Sequence, residues 1–277
     1  MHTLSSHKED IIHIKLISYK CIFLDASSIT KIVKIIGLLI GDINLYDIII
    51  KVGIMVLYKK SISNNRIINS RESTLYIDKN IIYKIFKENI DINKRIKVIE
   101  ILLNNDIIGC PKIYDFVYHN LQIVGYTMQY YPNAVPFSQN MKFEFIRKKC
   151  LELIKLYLDM KNNYNLCYID FYNENVFINN SSILLLDIDS CEIKENEKQK
   201  IADKYLCDYV LKMIYKTIFF DYEIYFSLEE REKIRKVLYK DINGQRIETI
   251  KDLEMFVQTT TKSDIKKVLK KLPYSIR

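Results

Sequence analysis

Apolar and polar positions fall into a definite order from Thr74 onward. Thr74–Ile77 and Ile81–Phe86 are short apolar runs of strand character, separated by the turn-forming Asp78-Lys79-Asn80, and read as a hairpin. Ile92, Ile96, Ile99 and Leu103 recur at helical spacing and predict a helix over about 91–104. After Pro111, Lys112–Tyr118 and Leu121–Tyr131 read as a second strand pair, joined at His119-Asn120. Beyond the break at Tyr131-Pro132-Asn133 the pattern becomes mainly helical. Phe143–Lys161 is amphipathic, with Phe145, Ile146, Leu153, Ile154, Leu156 and Tyr157 as core candidates. Tyr205–Phe220 is an apolar helix, and Leu228–Tyr239 and Ile250–Leu272 contain further helices. Between them, Val176–Ile178 and Ile183–Ile188 form a short strand pair around Asn179-Asn180-Ser181-Ser182. Upstream, the polar Ser61–Arg71 reads as a loop. The chain thus divides into an N-terminal appendage over 1–65, a β-rich lobe with one helix over 66–131 and a mainly helical lobe over 132–277.

Composition narrows the function classes without selecting one. Hydrophobic residues make up 49% and charged residues 27%, the balance of a globular protein with a sizeable core. The net charge of +8 is spread along the chain; it suits anionic ligands, nucleotides included, but singles out none. Basic residues do not gather with aromatics into a stripe, so a nucleic-acid partner is not expected. The six cysteines form no C-x-x-C pair and share no metal spacing with the four histidines, which argues against structural zinc and fits a reducing compartment. Charged residues interrupt the N-terminus where a signal peptide would be apolar. Lys34, Asp42, Asp47 and Lys51 interrupt Ile32–Leu57, so no membrane span is expected and the cytoplasm is the default location.

The chemistry concentrates in Tyr168–Glu192, YIDFYNENVFINNSSILLLDIDSCE. Asp170 and Asn175 are spaced D-x-x-x-x-N. A short apolar strand, a polar turn and a second apolar strand follow, ending in Asp187. The same spacing at Asp115 and Asn120 lacks that sequel. This stretch resembles the catalytic loop and metal-binding strand of protein kinases and of aminoglycoside and choline kinases. The resemblance implies a two-lobed protein-kinase-like α+β fold and an ATP–Mg²⁺ site. In that arrangement Asp170 orients the acceptor hydroxyl, and Asn175 and Asp187 bind Mg²⁺. Lys84, within the apolar strand IIYKIF, matches the lysine that holds the α- and β-phosphates; Lys87 is the fallback. Glu100 on the following helix matches its ion-pair partner. Ile123–Tyr131 resembles the fifth strand and hinge, with Met128 as gatekeeper and Gln129, Tyr130 and Tyr131 offering backbone groups to adenine. An aspartate at the start of the Tyr205–Phe220 helix, Asp203 or Asp208, corresponds to the one that braces the catalytic loop.

Three departures accompany the resemblance, which covers about residues 70–220. Ile68–Tyr76 contains no glycine where a phosphate loop is expected, leaving Ser70, Ser73 and Thr74 as hydrogen-bond donors. Tyr168 replaces the histidine of the catalytic loop. Asp187-Ile188-Asp189 lacks the following glycine, and the helix after it comes too soon for a long activation segment. The function implied is γ-phosphate transfer from ATP to a hydroxyl, of a protein Ser/Thr or of a small aminoglycoside- or choline-like molecule. A pseudokinase serving as a nucleotide-binding or scaffolding module is the alternative.

Overall fold

The computed structural model describes residues 66–119, 122–216, 227–241 and 243–272. The appendage over 1–65 and the segment Ile32–Leu57 lie outside the described residues. The described chain separates into two units. The first takes residues 66–92 and 114–128, and the second takes 93–113 and everything from Gln129.

The first unit is a five-stranded sheet in the order β1-β2-β3-β5-β4, with β1 Arg66–Asn69, β2 Ser73–Asp78, β3 Ile81–Phe86, β4 Ile113–His119 and β5 Gln122–Gln129. Strand β1 corrects the reading of Ser61–Arg71 as a loop. It pairs antiparallel with β2 from Arg66 opposite Ile77 to Asn69 opposite Thr74. Its polar composition is compatible with an edge position, where even Ile67 and Ile68 stay exposed. The β2–β3 turn places Lys79 at φ 52°, the left-handed conformation. Gly125 lies so close to β3 that a Cβ there would stand 2.0 Å from the Lys84 carbonyl oxygen.

The second unit begins with α1, Ile92–Asn104. Its buried stripe is Val98, Ile99 and Leu102, displaced from the predicted Ile92, Ile96, Ile99, Leu103. Continued one turn back, that stripe reaches Arg95. The long α2, Phe143–Asn163, packs against α3, Asn196–Tyr215, and α5, Ile250–Thr259. Leu153, Ile154, Leu206, Val210, Leu253 and Val257 are wholly buried there. Phe145 is not a core residue; it is half-buried beneath the Lys149 ammonium, 5.7 Å from its ring centre. Helix α3 starts well before the predicted Tyr205, because its first turns are polar and solvent-facing. Helices α4 (Leu228–Leu238), α5 and α6 (Lys262–Leu269) each begin with a capping box, from Ser227/Glu230, Thr249/Asp252 and Thr261/Asp264. Two small sheets complete the unit: β6-β8-β9 (Val135–Pro136, Val176–Asn179, Ser182–Leu185) and β7-β10 (Leu166–Cys167, Glu192–Ile193). No described helix is long and apolar enough to cross a membrane.

Candidate active site

The Asp170–Asn175 loop is held together by its own bonds. Tyr172 N–H donates to the Asp170 carbonyl at 2.8 Å, and Asn175 and Val176 N–H donate to the Tyr172 carbonyl at 3.0 and 3.2 Å. The Asn175 side-chain Nδ2 donates to Asp170 Oδ2 at 2.7 Å. An ionised carboxylate only accepts, so the amide must turn its nitrogen to Asp170 and its Oδ1 away. Asn175 thereby keeps a neutral oxygen suited to a hard cation.

The same asparagine ties the loop to the strand that ends at Asp187. Leu186 N–H donates to the Asn175 carbonyl at 2.7 Å. Tyr168, wholly buried, donates its hydroxyl to the Leu186 carbonyl at 2.8 Å and meets the Phe171 ring edge-on at 4.8 Å. Burial, helped by the Asp170 charge, pushes the Tyr168 phenol well above its ordinary pKa, so the hydroxyl remains a donor. Tyr168 thereby holds the strand that ends at Asp187.

The hairpin between the two loop ends is built by its turn. Asn180 and Ser181 both have positive φ, 46° and 68°, as a two-residue primed turn demands. Lys149 donates to the Ser181 carbonyl and pairs with Glu152, whose carboxylate accepts from Ile183 N–H at 2.6 Å. Leu185 N–H donates to the Gly109 carbonyl at 2.8 Å. Gly109 itself has φ 93°, and a Cβ there would meet the Leu156 side chain at 2.6 Å.

Asp187 sits at φ 53° and opens a single 3₁₀ turn, Ile188–Ser190. Ser190 returns its hydroxyl to the Asp187 carbonyl at 2.7 Å. Asp189, two residues on and fully buried, accepts from Arg95 Nη1 at 2.9 Å. Lys94, the neighbouring residue of α1, pairs with Glu192 just past the turn. Helix α1 thus grips the Asp187 turn at its middle and just past its end through adjacent cations. Sequence reasoning missed Arg95, whose only signal is its position on the buried stripe of α1.

The remaining predicted residues are distributed as follows. In the sheet unit, Lys84 is 4% exposed, with Nζ 5.9 Å from the ring centres of both Phe86 and Tyr126. Buried Ser73 stands opposite Phe86. Its hydroxyl shares a hydrogen bond with Ser70 Oγ at 3.0 Å, and Thr74 donates to Asn69 Oδ1 at 3.0 Å. The glycine-free turn is therefore closed by its own hydroxyls, and Lys87 donates to the Ser70 carbonyl. Met128 is buried at the end of β5. In the second unit, Gln129 N–H donates to the Lys112 carbonyl at 2.9 Å, and Tyr131 donates its hydroxyl to Gln129 Oε1 at 3.0 Å. Tyr130 is half-buried, and Glu100 lies on the exposed face of α1, its backbone carbonyl accepting from Asn104.

Neither candidate bracing aspartate is bonded to the loop. Asp203 accepts from the Tyr157 hydroxyl at 2.6 Å and pairs with Lys161 at 2.9 Å. Asp208 is largely buried, and desolvation raises its pKa from 3.8 to about 6 against the opposing pull of Arg235 and Lys204. The α3 residue that reaches the loop is Lys212, 2% exposed, with Nζ 3.5 Å from Asn173 Oδ1. A lone lysine in the apolar run YVLKMIY was its signal, the same signal that marked Lys84.

The described residues hold no group of three His, Cys, Asp or Glu side chains placed to bind a metal. Asn175 and Asp187 offer two hard oxygen ligands, which matches Mg²⁺ completed by phosphates and water rather than a protein-only cage. All described cysteines are free and buried.

The order of elements is that of the protein-kinase-like fold: a five-stranded sheet interrupted by one helix, then a mainly helical part carrying the D-x-x-x-x-N loop and its hairpin. No family model and no curated protein matches the chain. Among solved structures it is similar to the Cydia pomonella granulovirus kinase PK-1, with a TM-score of 0.48 and 15% identity over 72% of this chain and 97% of that one.

Proposed function

We propose that this chain is an ATP- and Mg²⁺-dependent phosphotransferase that moves the γ-phosphate to a hydroxyl, with a protein Ser/Thr as acceptor. The observation that carries the reading is the joined pair of Asp170 and Asn175, with the Asn175 backbone bonded to the residue before Asp187. It supports the reading because Asp170, Asn175 and Asp187 lie on one short, internally braced segment, as in-line transfer to a hydroxyl with metal-bound phosphates requires. Asp170 receives or orients the acceptor hydroxyl proton. Asn175 Oδ1 and the Asp187 carboxylate hold the metal. Lys84 holds the phosphates, and Glu100 is its partner. Ser73 and the backbone of Gln129, Tyr130 and Tyr131 beside Met128 complete nucleotide binding. Bound Mg–ATP supplies the transferable phosphoryl group and its charge neutralisation.

The test is transfer of labelled γ-phosphate to protein and small-molecule acceptors, with Asp170→Ala and Asp187→Ala beside the unaltered chain. Transfer that survives both substitutions would falsify the proposal. One observation favours a second reading, a nucleotide-binding module without turnover: the Ser70, Ser73 and Thr74 hydroxyls are already engaged within their own turn. Thermal stabilisation by Mg–ATP without any transfer would select it.

A further inference from the structure

A second anion site is indicated inside the helical unit, away from the Asp170–Asp187 segment. A cavity of about 730 Å³ opens between α3, α4 and the loop that follows α4. That volume falls within the range of small-ligand pockets. Six cations line it: Lys200 and Lys204 from α3, Arg235 and Lys236 from α4, and Lys240 and Arg246 from the loop. Lys200 and Lys204 are one helical turn apart and share a face. Lys240 and Arg246 are brought opposite each other by a bridge across the loop. Asp241 shapes that loop by accepting from Asn243 and Gln245 N–H, and Gly244 takes the φ of 84° that it needs. Cys207, Tyr239, Ile247 and Ile250 supply the less polar wall.

The acidic residues around the cavity do not balance these charges. Asp203 is already neutralised by Lys161. Glu248 makes only an exposed 3.5 Å pair with Arg246, and Glu232 is exposed. Asp208, behind the wall, offsets part of the charge of Arg235 and Lys204. Among the described residues, Lys200, Lys204, Lys236 and Lys240 make no ion pair.

Two further atoms point to a ligand. Arg235 and Tyr239 are lining residues, and Arg235 Nε and the Tyr239 hydroxyl are buried with no hydrogen-bond partner among the described residues. A buried donor left unsatisfied costs on the order of 1–3 kcal/mol, so donors of this kind are normally matched to an acceptor. A guanidinium, a phenol and ammonium groups around a pocket of this size match the oxygens of phosphate groups.

We propose that this cavity binds a small polyphosphorylated anion, held by the Arg235 and Tyr239 side chains that line it and by Lys204, Lys236 and Lys240 as the surrounding charge. This site is independent of the phosphotransfer reading.

The test is calorimetric titration of the full chain with myo-inositol hexakisphosphate, and separately with inorganic tripolyphosphate, at low and moderate salt. One site per chain is expected, weakening as salt rises. Arg235→Gln should weaken binding at least tenfold and Tyr239→Phe several-fold. The double exchange Lys236→Gln/Lys240→Gln, at exposed positions that do not endanger folding, should weaken it about tenfold. Lys84→Met should bind as the unaltered chain does, which separates this cavity from the nucleotide site. Preference between the two probes reports whether a ring-borne or a linear array of phosphates fits. Absence of binding by either probe overturns the proposal. Equal affinity in the Lys236/Lys240 variant overturns it too, as does binding of an oligoglutamate peptide with neither phosphate probe bound.

Discussion

Removing Arg95 should damage the Asp187 turn more than removing its partner. Asp189 is fully buried and Arg95 is 15% exposed, with 2.9 Å between Nη1 and Oδ2. Arg95→Leu takes the 2.9 Å cation partner from a carboxylate in a low-dielectric site, and breaking a buried pair from one side costs about 3–5 kcal/mol. Asp189→Asn leaves a cation that is partly exposed and can turn to water, so its cost should be smaller. Combining the two removes the charge that has lost this cation, so the double variant should be more stable than Arg95→Leu alone. For domains of 150–250 residues each kcal/mol moves the midpoint by about 2–4 °C, giving roughly 6–20 °C for Arg95→Leu. Thermal unfolding of the four proteins, read as a double-mutant cycle, yields the coupling. Amide exchange locates it: the protection of Ser190 and Cys191, whose N–H groups bond to Asp187 and Ile188, should fall in Arg95→Leu. Strict additivity of the two single costs, or unchanged exchange at those two amides, would refute the argument that Arg95 holds this turn.

Three further outcomes follow from the geometry. Gly125→Ala places a methyl 2.0 Å from the Lys84 carbonyl oxygen and should cost about 3 kcal/mol in thermal unfolding, since the obstacle is backbone; a loss under 1 kcal/mol would contradict the close approach. Tyr168→Phe leaves the Leu186 carbonyl without its 2.8 Å donor and should cost about 1–3 kcal/mol in urea unfolding, whereas no loss would mean that the bond contributes nothing to the strand. Asp208→Asn should stabilise the chain at pH 7. The folded state raises this carboxyl from 3.8 to about 6, so it binds more protons than the unfolded chain between those values, and stability falls as pH rises through that window. The accumulated cost is on the order of 3 kcal/mol above pH 6. The substitution should recover about 1–3 kcal/mol of it at pH 7 and nothing below about pH 4, and a gain independent of pH would exclude this cause.

What was legible in the sequence depended on whether one residue's neighbours along the chain determine its surroundings. The Ile81–Phe86 strand and the Asn180-Ser181 turn are local: period and turn chemistry specify them, and the structure has them where the pattern lies. The Asp170–Asn175 spacing was legible because both residues lie in one short stretch; the hydrogen bond between their side chains was not foreseen. Strand β1 was missed because an edge strand can be polar and partner-dependent. Arg95–Asp189 was missed because the two residues come from distant parts of the chain, and nothing on either side marks a long-range pair. Asp203 and Asp208 misled for the same reason: nothing beside them in the chain announces that Asp203 will meet Lys161 and Tyr157 or that Asp208 will be largely buried. Gly125 and Lys212 were readable signals left unused, an isolated glycine in an apolar strand and a lone lysine in an apolar helix.

The departures from the kinase pattern have physical counterparts that a motif comparison alone would record as losses. A histidine in the catalytic loop can serve the next strand by donating one hydrogen bond; a buried tyrosine whose phenol cannot ionise does so equally, and Tyr168 donates to Leu186. A glycine after Asp187-Ile188 would leave a turn free to swing; Asp189 instead fastens it to Arg95. A glycine-rich turn brings backbone close to phosphates; the Ser70–Ser73 turn satisfies its hydroxyls internally. The first two exchanges replace mobility or packing with directed polar bonds and leave Asp170, Asn175 and Asp187 unaltered. The third engages the Ser70 and Ser73 hydroxyls within their own turn. On the proposed phosphotransfer reading, nucleotide affinity is then the step most affected, and Ser70→Gly should raise the thermal stabilisation of the chain by Mg–ATP; an unchanged shift would count against this argument.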